Sequence, residues 1–346
     1  MAAGAEGERR FGAGKLPATV LEELLGRFTG GDDARLLVPP GVGEDAAVID
    51  FGDRCLVAKT DPITFATDRI GWYAVHVNAN DIAAMGAVPK WFLASVIVPE
   101  ELATRALFEQ VMGQIHQACG ELGVAVAGGH TEVSFGMDRP LVVGQMLGEV
   151  PHGGVVRSSG LRPGDALLLT KGMAIEATAI IAAEKRDELR SRGWTGADLD
   201  RCAGYLDDPG ISVVADARTA LAAGGVHALH DPTEGGVATG LAEIAGASQV
   251  GLEIDGGALP VSDESRRLCA GFGLDPFGVI SSGALLIGCG PEAAGDVVSA
   301  LQGQGIACAR IGTAREAGFG LRLRQPDGAL VELPRFEVDE ITRLFA

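Results

Sequence analysis

The stretch "GWYAVHVNANDIAAMGAVP" at residues 71–89 carries the clearest structural pattern in this chain. Its apolar spacing predicts a helix over 71–85 that ends at Gly86, with Pro89 beyond, as is usual at a helix terminus. Asn78 and Asp81 stand three residues apart and therefore share one face of this helix. An unpaired carboxylate inside so apolar a helix is costly, so Asp81 is expected to have a functional role.

Outward from this helix, strand and helix patterns alternate in both halves of the chain. Strands are predicted at 45–51, 55–60, 91–99 and 141–150, and a long amphipathic helix is predicted over 101–122. This alternation indicates a mixed α+β fold, and a length of 346 residues favours two domains. A stretch rich in Gly, Pro and Ser at 151–164 marks the boundary. The predicted divisions are a leader and first helix (1–39), an N-terminal ATP/Mg-binding domain (40–155), a C-terminal α+β domain (156–330) and a tail (331–346).

The composition excludes several classes of protein. A net charge of −18 argues against a nucleic-acid-binding surface. The chain has no apolar run near the roughly 20 residues of a membrane span and no signal-peptide pattern, so a soluble, cytoplasmic protein is expected. Its six cysteines stand singly without zinc spacing and are expected to be reduced. Glycine, at 51 residues, is about twice its usual abundance of roughly 7%.

Four stretches place a carboxylate in a turn at the edge of an apolar element. They are "GVGEDAAVI", "KTDP", "VNANDIAAMG" and "HDPTEGG", and they supply Asp45, Asp61, Asp81 and Asp231. Mg²⁺ binds a few such carboxylates together with substrate phosphates, so these four loops, if brought together, could hold two such ions against a triphosphate. Lys59 is a candidate point charge for phosphate. The glycine pairs at 128–129 and 235–236 could bring backbone N–H groups onto phosphate oxygens.

Simpler explanations exist for several of these residues. Asp231, Pro232 and Glu234 also fit the first turn of a helix, with the aspartate as its N-cap. Asp61 before Pro62 also fits an ordinary turn. "GGHTEVSFG" at 128–136 is read as a loop, which by itself could be a turn without function. Three histidines without a metal-spaced partner are interpreted as structural or surface residues: His76, His116 and His227.

Taken in order, several motifs resemble the superfamily of aminoimidazole-ribonucleotide synthetase (PurM), which also contains HypE, thiamine-monophosphate kinase and selenophosphate synthetase. The motifs are "GEDAAVI" (43–49), "TDP" (60–62), "VNANDIAAMGAVP" (77–89), "GGHTEV" (128–133), "DPTEGG" (231–236) and "SSGALLIG" (281–288). The third and fifth make the chain most similar to the HypE-like branch. The resemblance implies two α+β domains, with an N-terminal sheet or barrel that forms a homodimer. It also implies ATP and Mg²⁺ in a cleft between the halves.

The resemblance also implies roles for individual residues. Asp45, Asp61, Asp81 and Asp231 match the acids that hold metal, and Asp81, Lys59 and His130 are the candidate catalytic residues. Phosphate and nucleotide contacts are assigned to Lys59, Thr60, Asn78, Gly128, Gly129, Thr131, Gly235 and Gly236. The leader with "GAGK" (12–15) is expected to fold over the nucleotide.

Two positions depart from the HypE pattern. His130 stands where HypE proteins and thiamine-monophosphate kinases usually have Asp. Selenophosphate synthetases have "GGH", with a histidine, at this position. "LPRF" (333–336) resembles the start of the HypE tail Pro-Arg-Ile-Cys, but Phe336 leads into "EVDEITRLFA" and no cysteine follows Cys308. The thiol acceptor of thiocarbamate chemistry is therefore expected to be missing from this tail.

The leading functional hypothesis is a HypE-like, ATP-dependent enzyme that phosphorylates an oxygen of a small substrate or carbamoyl-type group. One alternative is a small-molecule kinase of the thiamine-monophosphate kinase type. Another is a nucleotide-binding scaffold in a maturation complex with other maturation proteins. No nucleic-acid or membrane partner is expected.

Overall fold

The computed structural model describes residues 16–29, 33–64 and 68–345. The predicted leader over 1–14 and "GAGK" at 12–15 lie outside the described residues. The described chain begins with helix α1 (Ala18–Phe28), none of whose residues is buried against the rest of that described chain.

Six strands form the first sheet. They are β1 (Leu36–Val38), β2 (Ala47–Asp50), β3 (Arg54–Ile63), β4 (Val88–Pro99), β5 (Ala125–Ser134) and β6 (Leu141–Pro151). Their spatial order is β1–β2–β3–β6–β4–β5, and each neighbouring pair is antiparallel except the parallel pair β4 and β5. This order leaves β5 at one edge of the sheet.

Helices α2 (Ile70–Ala84) and α3 (Arg105–Leu122) contact each other, and α2 also lies against β3, β4 and β6. All residues of α2 except Val77 are buried, which explains why its sequence is apolar on every side. Gly144 of β6 permits this close packing, because a Cβ there would lie 2.4 Å from Asn78 Nδ2. The helix that holds Asp81 is therefore fixed on all sides.

Seven strands form the second sheet. They are β7 (Ala166–Thr170), β8 (Val226–His230), β9 (Gly251–Asp255), β10 (Leu286–Cys289), β11 (Cys308–Arg315), β12 (Leu321–Arg324) and β13 (Leu330–Glu332). Their order is β13–β12–β9–β11–β7–β10–β8, with only β9 and β12 parallel. β7 is buried along its whole length, as expected of a strand inside a covered sheet.

The remaining helices belong to the second half of the chain. They are α4 (Ile175–Glu184), α5 (Arg186–Ser191), α6 (Gly196–Ala203), α7 (Val214–Ala223), α8 (Gly236–Ser248), α9 (Asp263–Gly271) and α10 (Ala294–Gly303). No helix in the described ranges is both long enough and apolar enough to cross a membrane. The predicted two-domain α+β fold is confirmed by these two sheets and their helices.

The C-terminal end of α2 reaches the second half of the chain. Ala83 and Ala84 pack in one apolar cluster with Leu168 of β7 and Leu229 of β8. Asn80, which is buried, donates from Nδ2 to the Ile211 carbonyl (2.8 Å) and accepts at Oδ1 from the Val213 N–H (2.9 Å). Asp81 therefore stands directly at the junction between the domains.

Two predictions of local structure are wrong. "TDP" (60–62) does not follow a strand but lies within β3, because pairing with β6 continues to Ile63. "GGHTEV" (128–133) is not a loop but part of β5, paired with β4. A Cβ at Gly129, where φ is +151°, would lie 2.1 Å from the Ala94 carbonyl oxygen, so close backbone approach rather than a turn requires this glycine.

The tail over 331–345 folds back onto the second domain. Leu333 and Phe336 pack in the cluster around α8, and Ile341 and Leu344 pack in the cluster that includes α4, α6 and α9. The backbone N–H of Glu340 donates to the Gly278 carbonyl (3.1 Å). The tail is thus an integral part of this domain.

The six cysteines are free thiols, as predicted. Five are buried and Cys308 is half-buried. Burial raises the pKa of Cys269 to about 12, so this thiol remains protonated and unreactive at neutral pH.

Candidate functional site

Three of the predicted metal-binding acids converge at the junction between the domains. Asp45 precedes β2, Asp81 lies on α2 and Asp231 directly follows β8. One carboxylate oxygen from each lies within 4.8 Å of the other two, and all three side chains are buried. Such a group of hard oxygen ligands fits a divalent cation such as Mg²⁺.

Lys59 of β3 lies beside this carboxylate cluster, which consists of Asp45, Asp81 and Asp231. The Lys59 Nζ is 3.2 Å from Asp81 Oδ1 and 3.4 Å from Asp61 Oδ2. Asp61, the fourth predicted acid, therefore faces Lys59 and is not one of the three converging aspartates. Its side chain is 35% exposed, so it is more accessible to solvent than the three buried aspartates.

Burial determines the electrostatics of the cluster. Burial, with the Asp45 carboxylate adding to it, raises the pKa of Asp231 to about 8. The pKa of Asp81 is also raised well above its ordinary value, mainly by burial and against the influence of Lys59. Burial by itself would lower the pKa of Lys59, but the surrounding carboxylates, Asp81 foremost, raise it and keep the lysine charged.

The cluster has the properties expected of a cation site. Among the described residues, Asp231 Oδ1 is buried without a hydrogen-bond partner, which is costly unless a ligand satisfies it. The raised pKa of Asp231 means that the cluster holds a proton when no cation compensates its charge. A divalent cation would replace that proton and pair with the unpartnered oxygen.

Asp45 is held by residues from the second domain. Its Oδ1 is 2.8 Å from His230 Nδ1, and its Oδ2 accepts a hydrogen bond from Ser158 Oγ at 2.9 Å. The other ring nitrogen of His230, Nε2, is 3.0 Å from Glu243 Oε2. Burial would lower the pKa of His230, but Asp45 and Glu243 raise it well above its ordinary value. Sequence reasoning missed the two partners of Asp45, His230 and Ser158, and it missed Glu243 as the partner of His230; the only signal was the position of His230 next to Asp231.

Two predicted nucleotide-binding residues on β3 and α2 have structural partners. Thr60 Oγ1 donates to the Gly144 carbonyl at 2.8 Å. Asn78 Oδ1 accepts from the Asp61 N–H (2.9 Å), and its Nδ2 donates to the Ala74 carbonyl (2.8 Å). Asn78 thus fixes β3 against α2 and positions the backbone of Asp61.

The predicted phosphate-binding residues of β5 lie apart from the carboxylate cluster. Gly128, Gly129, His130 and Thr131 are all exposed on this edge strand. Asp61, Gly144, Ala94 and Gly129 occupy one row across the sheet. Three strand spacings therefore place Gly129 about 14 Å from Asp61. The His130 Nε2 lies 3.5 Å from Glu132 Oε2 on the same strand.

The glycine pair at 235–236 forms the start of α8. Both residues have positive φ, at +77° and +68°, and α8 begins at Gly236 with Gly235 as its N-cap. The alternative in which Asp231 caps this helix is therefore wrong. The Gly235 N–H donates to Asp339 Oδ2 at 2.7 Å, and the Gly236 N–H donates to the Thr233 carbonyl at 3.1 Å.

Comparison with family models identifies the class of protein. Residues 43–150 match the N-terminal domain and residues 162–323 the C-terminal domain of AIR synthase related protein. The chain belongs to the AIR synthase-related family, in its HypE-like branch.

Two curated relatives lie within this branch. Carbamoyl dehydratase HypE of Rhizobium leguminosarum bv. viciae is 33% identical over 268 residues, covering 75% of this chain and 73% of that protein. Carbamoyl dehydratase HypE of Cupriavidus necator is 32% identical over 293 residues, covering 84% and 78%. Both alignments span most of the two domains.

Solved structures agree with this placement. The hydrogenase maturation protein HypE in complex with ATP has a TM-score of 0.70 at 26% identity, covering 95% of this chain and 98% of that one. E. coli HypE has a TM-score of 0.73 at 26% identity, covering 94% and 99%. A thiamine-monophosphate kinase family structure, AaThiL complexed with AMPPCP and TMP, shares the fold with a TM-score of 0.69 at 21% identity, covering 92% and 94%.

Proposed function

We propose that this protein is a HypE-like, ATP-dependent enzyme that phosphorylates an oxygen of a carbamoyl-type group or another small substrate. The observation that carries the proposal is the buried cluster of Asp45, Asp81 and Asp231 at the domain junction. The names of its relatives support it, since they include carbamoyl dehydratases and a HypE structure in complex with ATP.

The chain's own residues would divide the work as follows. Asp45, Asp81 and Asp231 would hold Mg²⁺, and Asp61 would extend this set on the exposed side of Lys59. Mg²⁺, when bound, would neutralise charge on phosphate oxygens, which is the main requirement of phosphoryl transfer. Lys59 would contact phosphate through an ammonium group that the surrounding acids keep charged.

The residues predicted to contact phosphate differ in whether their hydrogen-bond donors are already engaged within the protein. Thr60 donates its only hydroxyl hydrogen to the Gly144 carbonyl, so the hydroxyl would have to turn away from Gly144 in order to donate to a phosphate. The Gly235 N–H is engaged by Asp339, so a phosphate at this position would have to displace that carboxylate. Gly128, Gly129, His130 and Thr131 lie apart from the carboxylate cluster. We propose that they contact phosphate only if the bound ligand, or a second copy of the chain, extends to β5.

We also propose that the protein forms a homodimer through its N-terminal sheet. β5 is an edge strand with nearly every residue exposed, and an unprotected edge favours pairing with another strand. Val126, Val133 and Phe135 are exposed by 44%, 51% and 81%, so apolar surface accompanies the open edge. Other maturation proteins are candidate partners, since one structure of the same fold is a HypE–HypF complex at 22% identity.

The tail favours a substrate on another molecule, because Pro334, Arg335 and Phe336 are followed by Glu337 and not by a cysteine. Phe336 packs in the apolar cluster around α8, and a Cβ at Gly278 would meet its ring at 2.5 Å. The tail over 331–345 therefore offers no thiol, and its packing on the second domain does not leave it free to carry a substrate. This observation also supports the second candidate function, a small-molecule kinase of the thiamine-monophosphate kinase type.

Phosphorus NMR of the protein with Mg-ATP and candidate substrates tests the proposal. ADP and free phosphate, formed only with a carbamoyl-type substrate, would support the leading function, whereas ADP and a phosphorylated product would indicate a kinase. AMP would indicate selenophosphate-like chemistry. Nucleotide binding without turnover would indicate a scaffold.

A substitution tests the metal assignment in the same assay. Asp81→Asn should abolish Mg²⁺-dependent nucleotide binding, measured by calorimetry, while the fold survives in circular dichroism. Asp200→Asn, an exposed acid on α6, is the matched control and should bind like the wild type. Normal Mg-ATP binding by Asp81→Asn would show that the metal assignment is wrong.

A further inference from the structure

A chain of hydrogen bonds crosses the domain junction at Asp45. It runs from Glu243 on α8 through His230 on β8 to Asp45, and Ser158 completes it on the other carboxylate oxygen. The Glu243–His230 and His230–Asp45 distances are 3.0 and 2.8 Å, and the Ser158–Asp45 distance is 2.9 Å. The side chains of His230 and Asp45 are only 5% and 7% exposed. The His230–Asp45 pair is therefore shielded from water, while Glu243 at the end of the chain is 21% exposed.

Asp45 is the acid of the cluster that needs outside support most. It lies in the segment that leads into β2, whereas Asp81 is fixed within a buried helix. Its segment rests tightly on α8, since a Cβ at Gly43 would lie 3.1 Å from the Glu243 carbonyl oxygen. The partners of its carboxylate all come from the second domain.

His230 is itself a poor candidate for a metal ligand. Both of its ring nitrogens face carboxylates, Nδ1 toward Asp45 and Nε2 toward Glu243. A histidine can coordinate a metal only through a nitrogen free of hydrogen. The contact with Asp45 leaves other lone pairs of that carboxylate available, since each of its oxygens carries two.

We propose that His230, held by Glu243, is a positioning residue that orients Asp45 as a cation ligand of the carboxylate cluster. The inference rests on the proposed function, because it takes the cluster to be a divalent-cation site. Partners that hydrogen-bond a ligand fix its direction, and their loss typically weakens metal affinity 10- to 100-fold. Ser158 cannot replace His230, because its single hydroxyl hydrogen is shared between Asp45 and the Leu229 carbonyl at 3.2 Å.

Titration of the full-length, nucleotide-free protein with Mn²⁺, followed by electron paramagnetic resonance, tests this role. His230→Ala should weaken Mn²⁺ binding by about 10- to 100-fold. His230→Asn should restore much of the affinity, because the asparagine amide can donate to Asp45 from near the position of Nδ1. The matched control is His227→Ala, on the same strand, which removes a histidine paired with Asp165 at 3.0 Å and should leave Mn²⁺ affinity unchanged.

Glu243 provides an independent arm of the same experiment. Glu243→Gln keeps an acceptor for His230 and should bind Mn²⁺ nearly as the wild type does, whereas Glu243→Ala should weaken binding. If Glu243→Ala and Glu243→Gln bind alike, or if folded His230→Ala keeps wild-type affinity, the positioning role is refuted. Should His230→Ala fail to fold, the Glu243 pair decides the question.

The wild-type titration separates this inference from the proposed function. Saturable binding of Mn²⁺ by the wild type, with no effect of His230 or Glu243 substitution, would overturn only the positioning role. Failure of the wild type to bind Mn²⁺ at all would overturn the proposed function itself. Thermal unfolding of each variant without metal shows whether a change in affinity arises from a loss of fold.

Discussion

Replacing Asp231 by asparagine should stabilise the metal-free protein and at the same time abolish its response to Mg²⁺. Burial and the neighbouring Asp45 raise the pKa of Asp231 from 3.8 to about 8. A group whose folded pKa is raised contributes a stability that is lost as pH rises from its unfolded toward its folded pKa. The wild-type free energy of unfolding should therefore fall between about pH 4 and pH 8 in the absence of metal.

The size of the effect follows from the same shift. Each unit of pKa difference between the folded and unfolded states corresponds to about 1.36 kcal/mol. At pH 7 the raised pKa of Asp231 therefore lowers the free energy of unfolding by at most about 4 kcal/mol relative to low pH. An asparagine side chain has nearly the same shape without this cost, and its amide can donate to the remaining carboxylates of Asp45 and Asp81. Since most substitutions at buried positions destabilise a protein, a gain in stability is a distinctive outcome.

Thermal unfolding at pH 7 in EDTA and in excess Mg²⁺ measures both parts of the prediction. Saturating Mg²⁺ at about 100 times its Kd should add about 2.7 kcal/mol to the wild type and nothing to Asp231→Asn. Asp216→Asn is the control, because it removes another buried aspartate, paired with Lys171 at 3.3 Å away from the cluster. This control should be less stable but should keep the wild-type response to Mg²⁺. A metal-free Asp231→Asn that is less stable than the wild type, or that still responds to Mg²⁺, would refute the reasoning.

Two further predictions concern other parts of the molecule. Burial raises the pKa of Glu176 to about 7, so the stability that this group contributes is lost between about pH 4.5 and 7. The stability of Glu176→Gln relative to the wild type, measured by urea unfolding, should therefore be about 3 kcal/mol greater at pH 8 than at pH 4.5. Glu184→Gln, an exposed change on the same helix, should show no such gain. For the proposed dimer, Val133→Asp on β5 should give a monomer in analytical ultracentrifugation, whereas Asp200→Asn should not. A dimer that survives Val133→Asp would place the interface elsewhere.

Local sequence patterns predicted the elements that depend on local chemistry. The apolar spacing of 71–85 predicted a helix, and α2 (Ile70–Ala84) is that helix. The cost of a carboxylate in that helix marked Asp81, which is buried and paired with Lys59. A predicted loop at 128–133 proved to be strand β5, because a glycine pair fits both a turn and a close contact between backbones.

Local patterns in the sequence predicted two α+β domains and four aspartates as candidate ligands, because apolar periodicity and the cost of burying charge depend on neighbouring residues. Which groups meet depends on the packing of distant segments. His230 and Asp45 are separated by 185 positions in the chain, and the Gly235 N–H meets Asp339 across 104. Contacts of this kind depend on how the two sheets and α2 pack at the junction, since a hydrogen bond requires two groups to lie within about 3 Å of each other. Only the folded chain brings His230 and Glu243 to Asp45, and with them the structural basis for orienting a cation ligand.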